Sequence, residues 1–72
     1  MYDILFYENG AFCTQIGGSV GTLPEAIAQI ETLAKGLQAK ELDGLFGYGF
    51  DRNGTPCAFI VADRFGFPIK ND

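Results

Sequence analysis

Two Asn-Gly dipeptides, each set between apolar runs, constrain the fold of this chain more than any other feature. Leu45 to Val61 reads Leu-Phe-Gly-Tyr-Gly-Phe-Asp-Arg-Asn-Gly-Thr-Pro-Cys-Ala-Phe-Ile-Val. Asn and Gly both accept the positive φ that the central positions of a type I′ turn demand, so Asn53-Gly54 predicts a β-hairpin. A two-residue turn also sets the register, pairing Arg52 with Thr55, Asp51 with Pro56, Phe50 with Cys57 and so on outward. Alternation then puts Phe46, Tyr48, Phe50, Cys57, Phe59 and Val61 on one face. Leu45, Gly47, Gly49, Ala58, Ile60 and Ala62 fall on the other. One face is bulky and aromatic, the other nearly flat.

The second dipeptide, Asn9-Gly10, follows Tyr-Asp-Ile-Leu-Phe-Tyr-Glu and precedes Ala-Phe-Cys-Thr-Gln-Ile. The same reasoning gives a hairpin pairing Glu8 with Ala11, Tyr7 with Phe12 and Phe6 with Cys13. Tyr2, Ile4, Phe6, Ala11, Cys13 and Gln15 then share one face, and Asp3, Leu5, Tyr7, Phe12, Thr14 and Ile16 the other. Phe6-x-x-Asn9-Gly10-x-x-Cys13 repeats as Phe50-x-x-Asn53-Gly54-x-x-Cys57 at identical spacing. Duplication of one hairpin and convergence of two are both open readings. In either, both cysteines are expected on inner apolar faces.

Between the hairpins, Gly17-Gly18-Ser19-Val20-Gly21 reads as a flexible loop. Thr22-Leu23-Pro24-Glu25 has the form of a capping box with Pro in the first turn. Leu23, Ile27, Ile30, Leu33, Ala34 and Leu37 then recur at helical spacing, placing a helix end near Ala39 despite Gly36. Beyond Arg64, Phe65-Gly66-Phe67-Pro68-Ile69 is expected as an edge segment or arm, because Pro68 cannot donate to a ladder. Asp43 and Arg64 are expected to pair across the base of the main hairpin.

These elements give a single α+β domain over residues 1–72, ββαββ, an antiparallel sheet of two Asn-Gly hairpins with one amphipathic helix packed on one face. Burial of the aromatic face gains more, so the helix is expected there. The face carrying Gly47, Gly49 and Ala58 is then the outer one, widened by Leu5, Tyr7, Phe12 and Ile16. Relief of crowding by Gly47 and Gly49 is the plainer alternative to a docking role for that face.

Composition narrows the function by exclusion. The chain has no histidine, so neither a Ser-His nor a Cys-His pair is available and a zinc site of the usual Cys/His kind is excluded within one chain. No catalytic residue, metal or cofactor is expected. Asp43, Asp51 and Asp63 all belong to the main hairpin, but its register sets Asp63 on the opposite face from the other two. Cys13 and Cys57 are expected as free thiols in preference to a disulfide. A net charge of −4 disfavours nucleic acid and mildly favours a basic partner. No apolar run is long enough to span a bilayer and no basic leader opens the chain, so a cytoplasmic protein without membrane contact is expected.

A domain of 72 residues leaves much of its surface uncovered, which makes a homodimer through the outer face or an edge strand the expected form. In size, acidity and compact α+β build alone, the chain resembles the small inhibitor proteins that phages and mobile elements deploy against host enzymes, including anti-CRISPR proteins. That resemblance implies a non-catalytic module that binds and blocks a protein partner, in the host cytoplasm if phage-encoded. Residues expected at such a site are Leu5, Tyr7, Phe12, Gly47, Gly49 and Ala58, with Glu8 and Asp51 beside the turn tips. The rival is a small-anion or nucleotide sponge using Gly18, Ser19, Gly21 and Thr22 at the helix N-terminus. A structural assembly subunit is the third reading.

Overall fold

The computed structural model describes residues 1–71. Its elements are β1 (Tyr2–Glu8), β2 (Ala11–Val20), α1 (Leu23–Ala34), β3 (Lys40–Glu41), β4 (Gly47–Arg52) and β5 (Thr55–Asp63). All five strands form one antiparallel sheet in the order β2-β1-β5-β4-β3. The fold is α+β, with the single helix on one face. Among the described residues, no helix is long and apolar enough to cross a membrane.

Asn53 and Gly54 have φ of 52° and 83°, as a type I′ turn requires, and the β4–β5 pairs run from Arg52–Thr55 to Gly47–Ile60 in the expected register. Beyond Phe46 the hairpin does not continue to an Asp43–Arg64 pair. Its place beside β5 is taken by the tail, which bridges Ala62 to Pro68, donates Ile69 N–H to the Val61 carbonyl and donates Asn71 N–H to the Gly44 carbonyl. The tail therefore closes the open end of the sheet, and the missing donor of Pro68 costs no bond there.

The first hairpin departs from its expected register. Asn9-Gly10 turns as expected, with φ of 53° and 81°, and Glu8–Ala11 and Tyr7–Phe12 pair. The next pair is Phe6–Thr14, so Cys13 is the extra residue of a bulge. Each later β2 side chain changes face as a result. Ile16 packs with Ile4 on the helix side rather than joining the outer face, and Cys13 lies exposed rather than on an inner face. The parallel between the hairpins ends there, because Cys57 faces Phe50 and is buried.

Gly17, Gly18 and Ser19 are strand rather than loop, with a second register shift that takes the pairing from Ile4–Ile16 to Tyr2–Val20. Thr22 caps α1, accepting the Glu25 N–H at 3.3 Å while its hydroxyl donates to the Glu25 carboxylate at 2.9 Å. The helix ends at Ala34, short of Ala39. Lys35 (φ −64°, ψ 129°) and Gly36 (φ 85°) form a type II turn closed by the Leu37 N–H on the Ala34 carbonyl, and Leu37 is left exposed. The helix nevertheless takes the aromatic face, burying Ala26 and Ile30 against Ile4, Phe59 and Val61.

Candidate functional site

Pairing across the sheet lines up the outer face in rows. One row runs Phe12, Tyr7, Ala58, Gly49, Lys40; the next runs Gln15, Leu5, Ile60, Gly47. Side-chain bulk thus falls from β2 and β1 toward β4. Sequence reading brought Leu5, Tyr7, Phe12, Gly47, Gly49 and Ala58 to this face, and the sheet does hold them together there.

They are not equally accessible. Leu42, from the segment between β3 and β4, folds over the glycines and joins Leu5, Ile60, Ala62, Tyr7 and Leu45 in a second small core. Gly47 is buried under it. Gly49 and Ala58 are half-buried and line an open hollow with Lys40, Leu42, Asp51 and Pro56. A second open stretch lies at the other end, where Leu5, Tyr7 and Phe12 line a groove with Arg64, Phe65 and Asp3. Tyr7 and Phe12 meet edge to face at 6.0 Å between centroids. Phe65 stands opposite, with the Arg64 guanidinium 4.9 Å from its ring centroid.

Phe65 and Phe67 were not among the sequence-derived site residues, yet they are 71% and 69% exposed, more than any other large apolar side chain described. Their loop is held by Asp63. Its carboxylate accepts the Phe65 N–H at 2.8 Å and the Phe67 N–H at 3.0 Å, while its own N–H donates to the Phe67 carbonyl at 2.9 Å. Two apolar rings are thereby presented to water on backbone that is already ordered. The sequence signal was Asp63 two and four residues before the phenylalanines, a spacing suited to an Asx-type turn.

Glu8 and Asp51 part company. Glu8 lies on the helix face, paired with Arg52, whose guanidinium is also 5.5 Å from the Phe6 centroid; Asp51 is exposed on the outer face. Hydrogen bonding to Glu8 holds Arg52 above its already high pKa. At the helix N-terminus, Gly21 and Thr22 are in the turn, but Gly18 and Ser19 are in β2. The Ser19 hydroxyl donates to the Asp3 carboxylate, as does the Gln15 amide at 3.4 Å. Thr22 is engaged with Glu25, so two carboxylates stand beside the groups proposed for an anion. Among the described residues, no cluster of three His, Cys, Asp or Glu side chains could hold a metal ion.

Comparison with protein-family models, curated proteins and solved structures finds no significant match.

Proposed function

We propose that this is a small acidic, non-catalytic protein-binding module of inhibitor or regulator type, which acts by occupying a surface of a protein partner. The observation that carries this reading is the groove of Leu5, Tyr7 and Phe12 facing Phe65, with Phe65 and Phe67 fixed in the open by Asp63. Aromatic groups on ordered backbone lose little entropy on binding, which is the pattern of interface anchors. The net charge of −4 mildly favours a basic partner, although at the groove itself Asp3 is offset by Arg64. Anion binding at Gly18, Ser19, Gly21 and Thr22 is the weaker reading, because Asp3 and Glu25 already engage Ser19 and Thr22.

The test places a photo-crosslinking residue at Phe65 and, separately, at exposed Gln29 on α1, in cells that make the protein. A discrete adduct with another protein is expected from the Phe65 position and not from Gln29. The same adducts from both positions, or none from Phe65, would refute the reading.

A further inference from the structure

We propose that the Leu5–Phe65 groove takes an extended segment of its partner in which an apolar residue stands beside one basic and one acidic residue, the basic group meeting Asp3 and the acidic group Arg64. This rests on the protein-binding reading and names the chemistry of what that same site holds.

The groove follows β1. Asp3, Leu5 and Tyr7 are alternate residues of that strand on the outer face and span about 13 Å, the length of about four residues of extended chain. Leu5 forms the floor, and the edge-to-face pair of Tyr7 and Phe12 stands toward the hairpin turn. Arg64 and Phe65 stand at the other end, because Asp3 pairs with Ala62 and Arg64 lies two residues further on. The space between, about 430 Å³, is walled by aromatic rings and suits an apolar side chain.

The charges of the groove give it a pattern. Asp3 and Arg64 are of opposite sign and near one another, yet the ion pair among the described residues joins Arg52 to Glu8. Each is held by something else. The Ser19 hydroxyl and the Gln15 amide both donate to Oδ1 of Asp3, which leaves Oδ2 without a protein donor among the described residues. The Arg64 guanidinium is drawn instead to the ring of Phe65, 4.9 Å from its centroid. One acceptor oxygen and one planar donor group are thereby fixed apart on the walls of an apolar trough.

Side chains already ordered lose little entropy when a ligand arrives, and charge-assisted hydrogen bonds are the stronger kind. A uniformly basic segment meets repulsion from Arg64, and a uniformly acidic one meets repulsion from Asp3. Only a segment carrying both signs gains at both ends. An apolar side chain between them displaces water from the trough and strengthens both contacts. The chain's charge of −4 acts on approach, whereas the groove acts on which segment is held.

Selection from a displayed library of random peptides against the wild-type chain, Asp3→Asn and Arg64→Gln tests the pattern. Asp3→Asn keeps a carbonyl acceptor for Ser19 and Gln15. The wild-type chain is expected to enrich peptides with an apolar residue adjacent or next but one to both a basic and an acidic residue; Asp3→Asn should lose the preference for the base and Arg64→Gln that for the acid. In fluorescence polarisation, replacing the acid of an enriched peptide by Gln should weaken binding to wild type by up to about fivefold and leave binding to Arg64→Gln unchanged. Peptides enriched without charge preference, preferences that survive in both variants, or no enrichment would each overturn the proposal. A discrete crosslink from Phe65 alongside any of these results overturns the charge pattern alone, which separates its failure from that of the binding reading.

Discussion

Gly47→Ala and Gly49→Ala are the same chemical change two residues apart on one strand face, and the structure gives them opposite consequences. A Cβ on Gly47 would stand 2.5 Å from the Phe59 carbonyl oxygen, 2.8 Å from Ile60 Cγ2 and 3.0 Å from Leu42 Cδ1. The first of these is backbone, fixed by the Gly47–Ile60 pairing and by the Val61 N–H on the Phe46 carbonyl at 2.8 Å. No rotamer change removes it. Accommodation requires opening the β4–β5 ladder, at a cost typical of overpacking, about 1–3 kcal/mol. On Gly49 the nearest atoms are Leu42 Cδ2 at 3.3 Å and the Cys57 carbonyl oxygen at 3.7 Å, so only a leucine methyl must give. Restricting the unfolded chain there should make Gly49→Ala neutral or stabilising by up to about 1 kcal/mol. Urea unfolding at constant slope measures both, and each kcal/mol should also move the Tm by about 4–8 °C in a domain of this size. Adding Leu42→Ala to Gly47→Ala should recover little, because the carbonyl contact remains. A Gly47→Ala protein within about 0.5 kcal/mol of wild type, or a Gly49→Ala protein less stable than Gly47→Ala, would refute the close-approach argument.

Asp63→Ala removes the acceptor shared by the Phe65 and Phe67 N–H groups and should cost about 1 kcal/mol while speeding tryptic cleavage after Arg64; Asp63→Asn, which keeps a carbonyl acceptor, should cost less. Unchanged cleavage in Asp63→Ala would remove Asp63 as the loop's organiser. Tyr48 should ionise above the ordinary tyrosine value, because partial burial and then Glu41 and Glu31 oppose its phenolate. Since the native state favours the neutral phenol, the associated stability is intact below the ordinary value of about 10 and is lost as pH rises through the raised one. Ultraviolet difference titration of wild type against Tyr48→Phe isolates that ionisation, and a midpoint at or below the ordinary value would contradict the assignment. A thiol reagent at low micromolar protein should modify exposed Cys13 in the native state and Cys57 only on unfolding. Equal rates at both would show that Cys57 is not sealed against Phe50.

The two hairpins show what was legible in the chain and why the rest was not. Asn53-Gly54 specified a turn, and the run beyond it kept strict alternation, so every β4–β5 pair followed from the turn alone. Asn9-Gly10 specified its turn equally well, but a bulge leaves no mark in an alternating pattern when the strand is apolar on both faces. Phe12-Cys13-Thr14 reads the same with Cys13 paired or extruded, and only packing of Ile16 against Ile4 decides it. The glycines of β2 are ambiguous for a related reason: Gly17 and Gly18 signal a bend, and a bend within a paired edge strand looks locally like a loop. At the helix end, the apolar stripe through Leu37 outweighed Gly36 in the reading, whereas the chain uses the positive φ of Gly36 to turn away. Of the site, the strand residues were legible from register, but Leu42 over Gly47 and the Asp63-held phenylalanines depend on segments without periodicity.

Those non-periodic segments decide where the surplus apolar surface ends up. A single helix covers one face of the sheet, and an uncovered opposite face would be the expectation if strands alone were considered. Instead Leu42 and Leu45 close the glycine end, leaving Ile60 at 5% and Ala62 at 0% exposure without a second helix. The tail closes the base by pairing with Ala62. What stays open is displaced to the β2 side and to the Asp63 loop, where Phe12, Phe65 and Phe67 are the exposed rings. Gly47, which leaves room for the Leu42 cover, thereby helps to close that end of the face, and the exposed rings are left at β2 and on the Asp63 loop.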